Sequence, residues 1–285
     1  MKLSGVVVLY NPNEKMLENI KTYIKNIEKL FIVDNSLDSN FEKINLKLFD
    51  DIKKIKYIPN YENKGIAYAL NIGIKESLKE GYEYLLTMDQ DSFFEGDAFK
   101  KYLSLIEKDL FNGNLYGVST INEKKDLELE KEDFSCVEML ISSGMIIDLK
   151  ILEKVGLFNE DFFIDEVDNE FCYRVKNCGY IIKKANKIFL NHKLGNLRKH
   201  LFNTKVAHHN YIRKYYIFRN RFYITKMYPE RKKAYLRRIR RDVKKIILYE
   251  KDKWLKLKMF WYAYRDFKNG IKGKISEKYL KKEEK

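Results

Sequence analysis

Four short apolar runs, Val6 to Tyr10, Leu30 to Val33, Ile55 to Ile58 and Tyr84 to Met88, alternate with segments of helical periodicity. No other feature narrows the choice of fold so far. Residues 14 to 27 space Leu17, Ile20, Ile24 and Ile27 three or four apart, and residues 65 to 79 repeat the pattern with Ile66, Leu70, Ile74 and Leu78, which predicts a helix over each. Strands separated by helices pair in parallel and are covered on both faces. The expected fold is therefore α/β, a Rossmann-like, mainly parallel sheet flanked by helices. Ligands in such sheets bind beyond the carboxyl ends of the strands. There the sequence turns polar: Tyr10-Asn11-Pro12 follows the first run, Asp34-Asn35-Ser36 the second, Asn60 to Gly65 the third and Asp89-Gln90-Asp91-Ser92 the fourth.

The 285 residues, 45% hydrophobic and 14% aromatic, supply ample core for one large α/β domain with an appendage and exclude disorder throughout. The net charge of +15 is unevenly divided. Residues 193 to 285 hold 30 basic and 8 acidic side chains, net +22, whereas residues 1 to 192 hold 26 and 33, net −7. An acidic body suits metal-bound phosphates and a basic tail suits a polyanionic partner, with a boundary expected near residue 205. Cys136, Cys172 and Cys178 form no CxxC pair and leave one thiol over, which argues against a disulfide framework and for a reducing compartment. The first apolar stretch is too short for a signal-peptide core, and no run approaches the roughly 18 residues of a spanning helix. A soluble or peripheral protein is expected.

No GxGxxG follows the first strand and no GxxxxGK[ST] occurs anywhere, so neither familiar glycine cradle holds phosphate here. Asp89 and Asp91 alternate with Gln90 at the end of the fourth run; if the extended geometry persists, both carboxylates face one side. Two such groups can share Mg²⁺ or Mn²⁺, whose other positions go to water and substrate phosphate. The same pattern also fits an ordinary acidic turn. It does not fit an EF-hand, since the sixth position would be Phe94 and the twelfth Lys100.

Six ordered motifs resemble family 2 glycosyltransferases: Val6 to Asn11, IVDNS at 32–36, NKGIAYALNIG at 63–73, MDQDS at 88–92, SSGMII at 142–147 and FIDEVDNEFCYR at 163–174. With His192-Lys193-Leu194-Gly195 and Tyr215 to Asn220 the chain is most similar to the rhamnosyltransferase-like branch, over residues 3 to 228. The resemblance implies a GT-A fold with a nucleotide-sugar-binding catalytic domain over 1–205, a basic helical region over 206–285, a nucleoside-diphosphate sugar donor and inverting transfer. It also implies roles. Tyr10, Asn11, Asp34 and Gln90 would line the nucleotide site, with Asp34 accepting from the pyrimidine ring. Asn63, Lys64 and Gly65 would lie over the nucleotide. Asp89, Asp91 and His192 would hold the metal, and Gly144 would let donor or acceptor approach the backbone. Asp165 and Glu166 are candidates for the acceptor side. The branch points to dTDP-rhamnose, with UDP-galactose or UDP-glucose as alternatives, and to a growing surface glycan or lipid-linked saccharide as acceptor.

Asp168 is the expected catalytic base. If residues 166 to 177 are helical, it shares a face with Phe171, Cys172 and Val175, so its carboxylate faces the protein. The helix N-terminus favours its ionised form, while burial and the neighbouring acids Asp165, Glu166 and Glu170 oppose it. Such acids also simply cap helices. His200, His208 and His209 are further histidine candidates, and Cys172 and Cys178 read as small core residues.

In the tail, Leu236, Ile239, Val243, Ile246 and Ile247 recur at helical spacing among Arg237, Arg238, Arg240, Arg241, Lys244 and Lys245. Trp254, Leu255, Met259, Phe260 and Trp261 follow beside lysines, a mixture suited to an anionic membrane surface at the cytoplasmic face or, alternatively, to packing on the catalytic domain. Nucleic-acid binding through the tail is the reading from another class, opposed by the acidic body and the lack of a recognition motif. A metal-dependent nucleotidyltransferase or phosphatase could use the same paired acids.

Overall fold

The structure, a computed structural model, describes residues 1–37, 52–109, 114–120, 132–192, 197–200, 204–207 and 209–280, with backbone alone at Leu17, Ile52, 197–200 and 204–207. Contacts divide the chain into two compact units, Met1–Phe158 with Asp168–Lys193, and Asn159–Val167 with Leu194–Lys285.

The first unit is built on a nine-stranded sheet. Its strands are β1 (Leu3–Leu9), β2 (Lys29–Asp34), β3 (Ile55–Pro59), β4 (Tyr84–Asp89), β5 (Phe93–Phe94), β6 (Leu115–Thr120), β7 (Phe134–Cys136), β8 (Met145–Asp148) and β9 (Ile182–Asn191). The order is β3-β2-β1-β4-β8-β6-β9-β5, with β7 also on β9. The four strands legible as apolar runs are mutually parallel. Beyond them β8 runs antiparallel to β4 and β6, and β5 and β7 antiparallel to β9, so the sheet as a whole is mixed.

Helices α1 (Glu14–Ile20), α2 (Ile66–Lys79), α3 (Ala98–Asp109), α4 (Leu152–Val155) and α5 (Val167–Asn177) belong to or begin at this unit. The helix expected over 14–27 stops at Ile20 and resumes only as a short 3₁₀ turn at Ile24–Asn26. Ile20, Tyr23, Ile24 and Ile27 are all buried nonetheless, so burial, which the sequence pattern reports, survives a break in the helix. Helix α2 lies close on β1: an added Cβ at Gly73 would meet Val6 Cβ at 2.4 Å. Its buried Asn71 pairs with both backbone groups of Phe158, each at 2.9 Å, which satisfies an amide otherwise costly in a core.

The second unit contains α6 (Tyr211–Met227), α7 (Lys232–Tyr249), α8 (Lys253–Lys268) and the hairpin β10 (Leu197–His200)–β11 (Thr204–Ala207). Its core joins Tyr215, Tyr216 and Phe218 of α6 to Ile239 and Ile246 of α7 and Met259 and Ala263 of α8. The apolar stripe of α7 is thus largely spent inside the unit. Glu250, buried, accepts from Lys214 at 2.7 Å and Lys256 at 2.9 Å, pinning the end of α7 to its neighbours. No described helix is long and apolar enough to cross a membrane.

Replacing a mid-helix glycine by alanine ordinarily stabilises by about 0.5–1 kcal/mol. At Gly73 the clash with the Val6 strand is larger, so Gly73→Ala is expected to destabilise by about 1–3 kcal/mol. A urea unfolding series with an unchanged slope and a lowered midpoint is the expected result.

Candidate active site

Register places the site. Val8 sits beside Asp89 and Leu9 beside Asp34, so the ends of β1, β2 and β4 finish at one edge. The Gln90 amide then ties two of them together, accepting from Tyr10 N at 2.8 Å and donating to Tyr10 O at 3.0 Å. Asn19 of α1 donates to Gln90 O at 2.9 Å, so this glutamine is held at both its side chain and its backbone.

Asp89 and Asp91 converge, but not by strand alternation. The strand ends at Asp89 and the chain turns, with Ser92 N donating to Asp89 O at 3.2 Å. The turn folds the acids toward a third group from a hundred residues downstream. Because β5 pairs with the end of β9, Phe93 opposite Asn191, His192 arrives beside Ser92, its Nδ1 2.8 Å from Ser92 Oγ. The same nitrogen is 3.6 Å from Asp91 Oδ1 and 4.0 Å from Asp89 Oδ2. One ligand atom from each of the three residues lies within 4.8 Å of the others. Donors about 2.1 Å from a common Mg²⁺ or Mn²⁺ stand roughly 3–4 Å apart, so modest side-chain rotation closes the set on an ion. Two carboxylates and an imidazole with oxygen-rich surroundings suit those metals. Ser143 Oγ accepts from Asp89 N at 3.2 Å and Gly144 N donates to Thr87 O at 2.9 Å, so the SSG segment braces the acid end of β4. Gly144 itself has φ 78, and a Cβ there would meet Val118 Cγ2 at 2.6 Å. Its missing side chain makes room for the core.

The nucleotide-side candidates form a second hydrogen-bonded group. Asp34 is buried; Oδ1 accepts from Ser36 N at 2.9 Å and Ser36 Oγ at 2.5 Å, and Oδ2 accepts from Tyr57 OH at 2.8 Å. Of the roughly four lone-pair sites of a carboxylate, one is left. Asn11, at φ 46, donates its N–H to Ser36 Oγ at 2.8 Å. Asn35 donates to Gly65 O at 3.0 Å and accepts from Asn60 at 2.8 Å, while Asn63 Oδ1 accepts from Gly65 N at 3.0 Å. Gly65 has φ 89 and ψ 164, a region essentially restricted to glycine, and opens α2. Lys64 lies over the Tyr68 ring at 5.0 Å and 3.4 Å from Glu62.

Asp168 stands in the first turn of α5, half-buried, with Oδ1 accepting from Asn169 N at 2.8 Å. Phe171, Cys172 and Val175 on its side of the helix are fully buried. Arg174 fixes the helix: it forks onto Glu170 at 2.7 and 2.9 Å and donates to Val155 O and Leu157 O. Burial pushes the Cys172 thiol up to about 12, so it is an inert core residue.

Asp165 and Glu166 belong to the second unit and are fully engaged there. Asp165 receives Arg213 at 3.0 and 3.1 Å, and burial still holds its carboxyl above the ordinary value. Glu166 accepts from Arg221 at 2.7 Å and Tyr235 OH at 2.9 Å. The backbone here is strained. Phe163, Asp165 and Glu166 have φ of 60, 63 and 62, and Phe163, with ψ −63, centres a γ-turn closed by Ile164 N and Phe162 O at 2.6 Å. Asn220 Nδ2 reaches the carbonyls of Phe162, Ile164 and Asp165 at 2.8, 2.8 and 2.9 Å, and buried Arg219 reaches those of Asp161 and Gly273. Sequence reasoning carried Arg219 and Asn220 only as part of a motif; here they are the clamp of this turn. His209 lies in the second unit among Lys214, Arg221, Asp242 and Glu250, and burial, with nearby Arg213 and Lys214, pushes its imidazole down to about 4. The side chains of His200 and His208 lie outside the described residues.

A parallel edge carrying a carboxylate–histidine triad beside a braced asparagine-rich loop defines a GT-A nucleotide-sugar enzyme. The model for Glycosyl transferase family 2 matches residues 4–163, and the chain belongs to that family. It is a rhamnosyltransferase-like glycosyltransferase, 30% identical over 243 residues to the dTDP-rhamnosyl transferase RfbF of Shigella flexneri, spanning 78% of this chain and 79% of that one. Among solved structures, S. aureus TarS 1-349 in complex with UDP-GlcNAc superposes with a TM-score of 0.61 at 15% identity, over 98% of this chain and 83% of that chain. GalNAc-T7 with UDP, GalNAc and Mn2+ gives a TM-score of 0.55 at 14% identity over 67% of this chain, which spans 43% of that larger one. At these identities the two structures speak for the fold alone.

Asn220→Asp would turn three hydrogen bonds into three repulsive oxygen contacts. It is expected to cost at least about 2 kcal/mol of stability by chemical denaturation.

Proposed function

We propose that this protein is an inverting, metal-dependent transferase that moves a sugar, rhamnose from dTDP-rhamnose, to a hydroxyl of a growing surface glycan or lipid-linked saccharide. The observation that carries the reading is the convergence of Asp89, Asp91 and His192 at the strand edge where the nucleotide-side residues also gather. The 30% identity to a dTDP-rhamnosyl transferase supports the donor. Asp89, Asp91 and His192 would hold Mg²⁺ or Mn²⁺, which neutralises charge on the departing diphosphate. Tyr10, Asn11 and the strapped Gln90 line the nucleotide side, Asp34 offers its remaining acceptor site to the base, and Asn63, Lys64 and Gly65 cover it.

Asp168 serves as the base. The acceptor oxygen attacks the anomeric carbon while the bond from that carbon to the phosphate oxygen breaks; the hydroxyl proton passes to the Asp168 carboxylate and the nucleoside diphosphate leaves. Asp168 stands in the first turn of α5. Gly144, Asp165 and Glu166 shape the acceptor side indirectly, through backbone placement. The basic C-terminal region, 206–285, holds the enzyme at the cytoplasmic face of an anionic membrane, where lipid-linked acceptors reside.

Nucleotide release measured over dTDP-, UDP- and GDP-sugars, with and without Mn²⁺ and with and without a saccharide acceptor, tests this. dTDP-rhamnose turnover that requires both metal and acceptor is expected; acceptor-independent release would mark a hydrolase. Asp91→Ala should abolish the metal requirement together with turnover. Asp168→Asn should lower turnover about a hundred- to ten-thousandfold with donor binding retained. Full activity in either variant removes that residue from its role.

A further inference from the structure

The outer surface of α8 carries both tryptophans of the chain. Its exposed positions are Lys253, Trp254, Lys258, Trp261, Tyr264 and Lys268, with no acidic residue among them. Trp254 and Trp261, 85% and 59% exposed, are seven residues apart and so stand about 10 Å from each other along one side of the helix. The opposite side is firmly occupied: Lys256, Met259, Ala263 and Asp266 are buried. Asp266 accepts from Tyr215 OH at 2.7 Å and Tyr279 OH at 2.6 Å, and these bonds fix which face of the helix turns outward. The preceding corner continues the character, with Ile247 and Leu248 exposed at the end of α7 and Lys251 next to them. Large aromatic side chains are costly to leave in water, and the two tryptophans of the chain are both left there.

We infer that the outer face of α8, with the Ile247–Leu248 corner, is an interfacial docking surface for an anionic lipid bilayer, Trp254 and Trp261 entering the headgroup boundary and the lysines meeting lipid phosphates. This rests on the membrane-retention part of the proposed function and deepens it by narrowing the contact from the whole C-terminal region to one face of α8 and the adjoining corner of α7. Charge complementarity selects the occupant: lysines beside indole and phenol rings, with Asp252 between Lys251 and Lys253 the one exposed acid among them, match a layer that is anionic at its surface and apolar beneath. A nucleic acid would need the charges but not two projecting tryptophans, and a second copy of this face would set like charges against each other. Helix α8 lies in the interface plane and does not span it.

Because Trp254 and Trp261 are the only tryptophans, intrinsic fluorescence of the full chain reports on this face alone. Titration with phosphatidylcholine vesicles containing phosphatidylglycerol should shift the emission to the blue and expose it to quenching by brominated acyl chains; pure phosphatidylcholine should do much less, and salt should reverse the shift. Each lysine near an anionic surface strengthens binding about fivefold. Lys253→Glu with Lys258→Glu is therefore expected to weaken co-sedimentation by well over tenfold. Trp254→Ala with Trp261→Ala should weaken it too, with transfer to a soluble saccharide acceptor unchanged and an unaltered circular dichroism spectrum. No shift with anionic vesicles, a shift produced equally by RNA, or one that appears on raising protein concentration without lipid overturns the inference while leaving glycosyl transfer intact. Failure of transfer with vesicle binding retained would overturn the catalytic reading instead.

Discussion

Two carboxylates brought within a few ångströms repel, by roughly 4 kcal/mol for unit charges 4 Å apart near a protein surface. The first unit is arranged so that Asp89 and Asp91 cannot escape that proximity. Asp89 is the last residue of a strand that is hydrogen-bonded on both sides, its N–H fixed by Ser143, and Gln90 between the acids is tied to Tyr10 and Asn19. A third side chain comes from outside the turn. Strand β9 returns alongside β5 and delivers His192 to the same spot, so the most distant part of the unit's sequence completes its most charged feature. Two carboxylates and an imidazole gathered this closely form a candidate metal group.

Much of this was legible in the sequence, for identifiable reasons. The four parallel strands were visible because buried parallel strands are continuous apolar runs, and their polar sequels marked the functional edge. The helix over 14–27 was overextended because apolar spacing reports burial, and Tyr23, Ile24 and Ile27 are buried in a turn as well as they would be in a helix. Asp89 and Asp91 do lie close together, but a turn, not the expected strand alternation, brings them there. Strands β5 to β8 were not anticipated, since short strands of mixed direction lack the continuous runs of the parallel half.

The least legible feature was the division of labour around the FIDE segment. Acidic residues in a motif invite a substrate role, yet Asp165 and Glu166 each accept from arginines more than forty residues away in sequence. Only the fold could reveal that Arg213 and Arg221, two turns apart on α6, bracket Asn220 and Arg219 so that one helix grips the whole turn. An Arg-Asn pair set among the aromatic residues of α6 was the available signal. Buried cations and amides at such positions must be bonded to something.

Three left-handed residues within four positions would cost roughly 1–3 kcal/mol each if nothing opposed them. The compensation is local and polar: three carbonyls share the two N–H groups of Asn220, both acids are neutralised by arginines, and Phe163 stacks on Tyr216 at 4.9 Å. A turn held in this way has one geometry. The strain is thus the structural cost of a single path for this turn. It explains why the clamp is built from buried polar side chains, since apolar packing would leave the carbonyls of Phe162, Ile164 and Asp165 without donors.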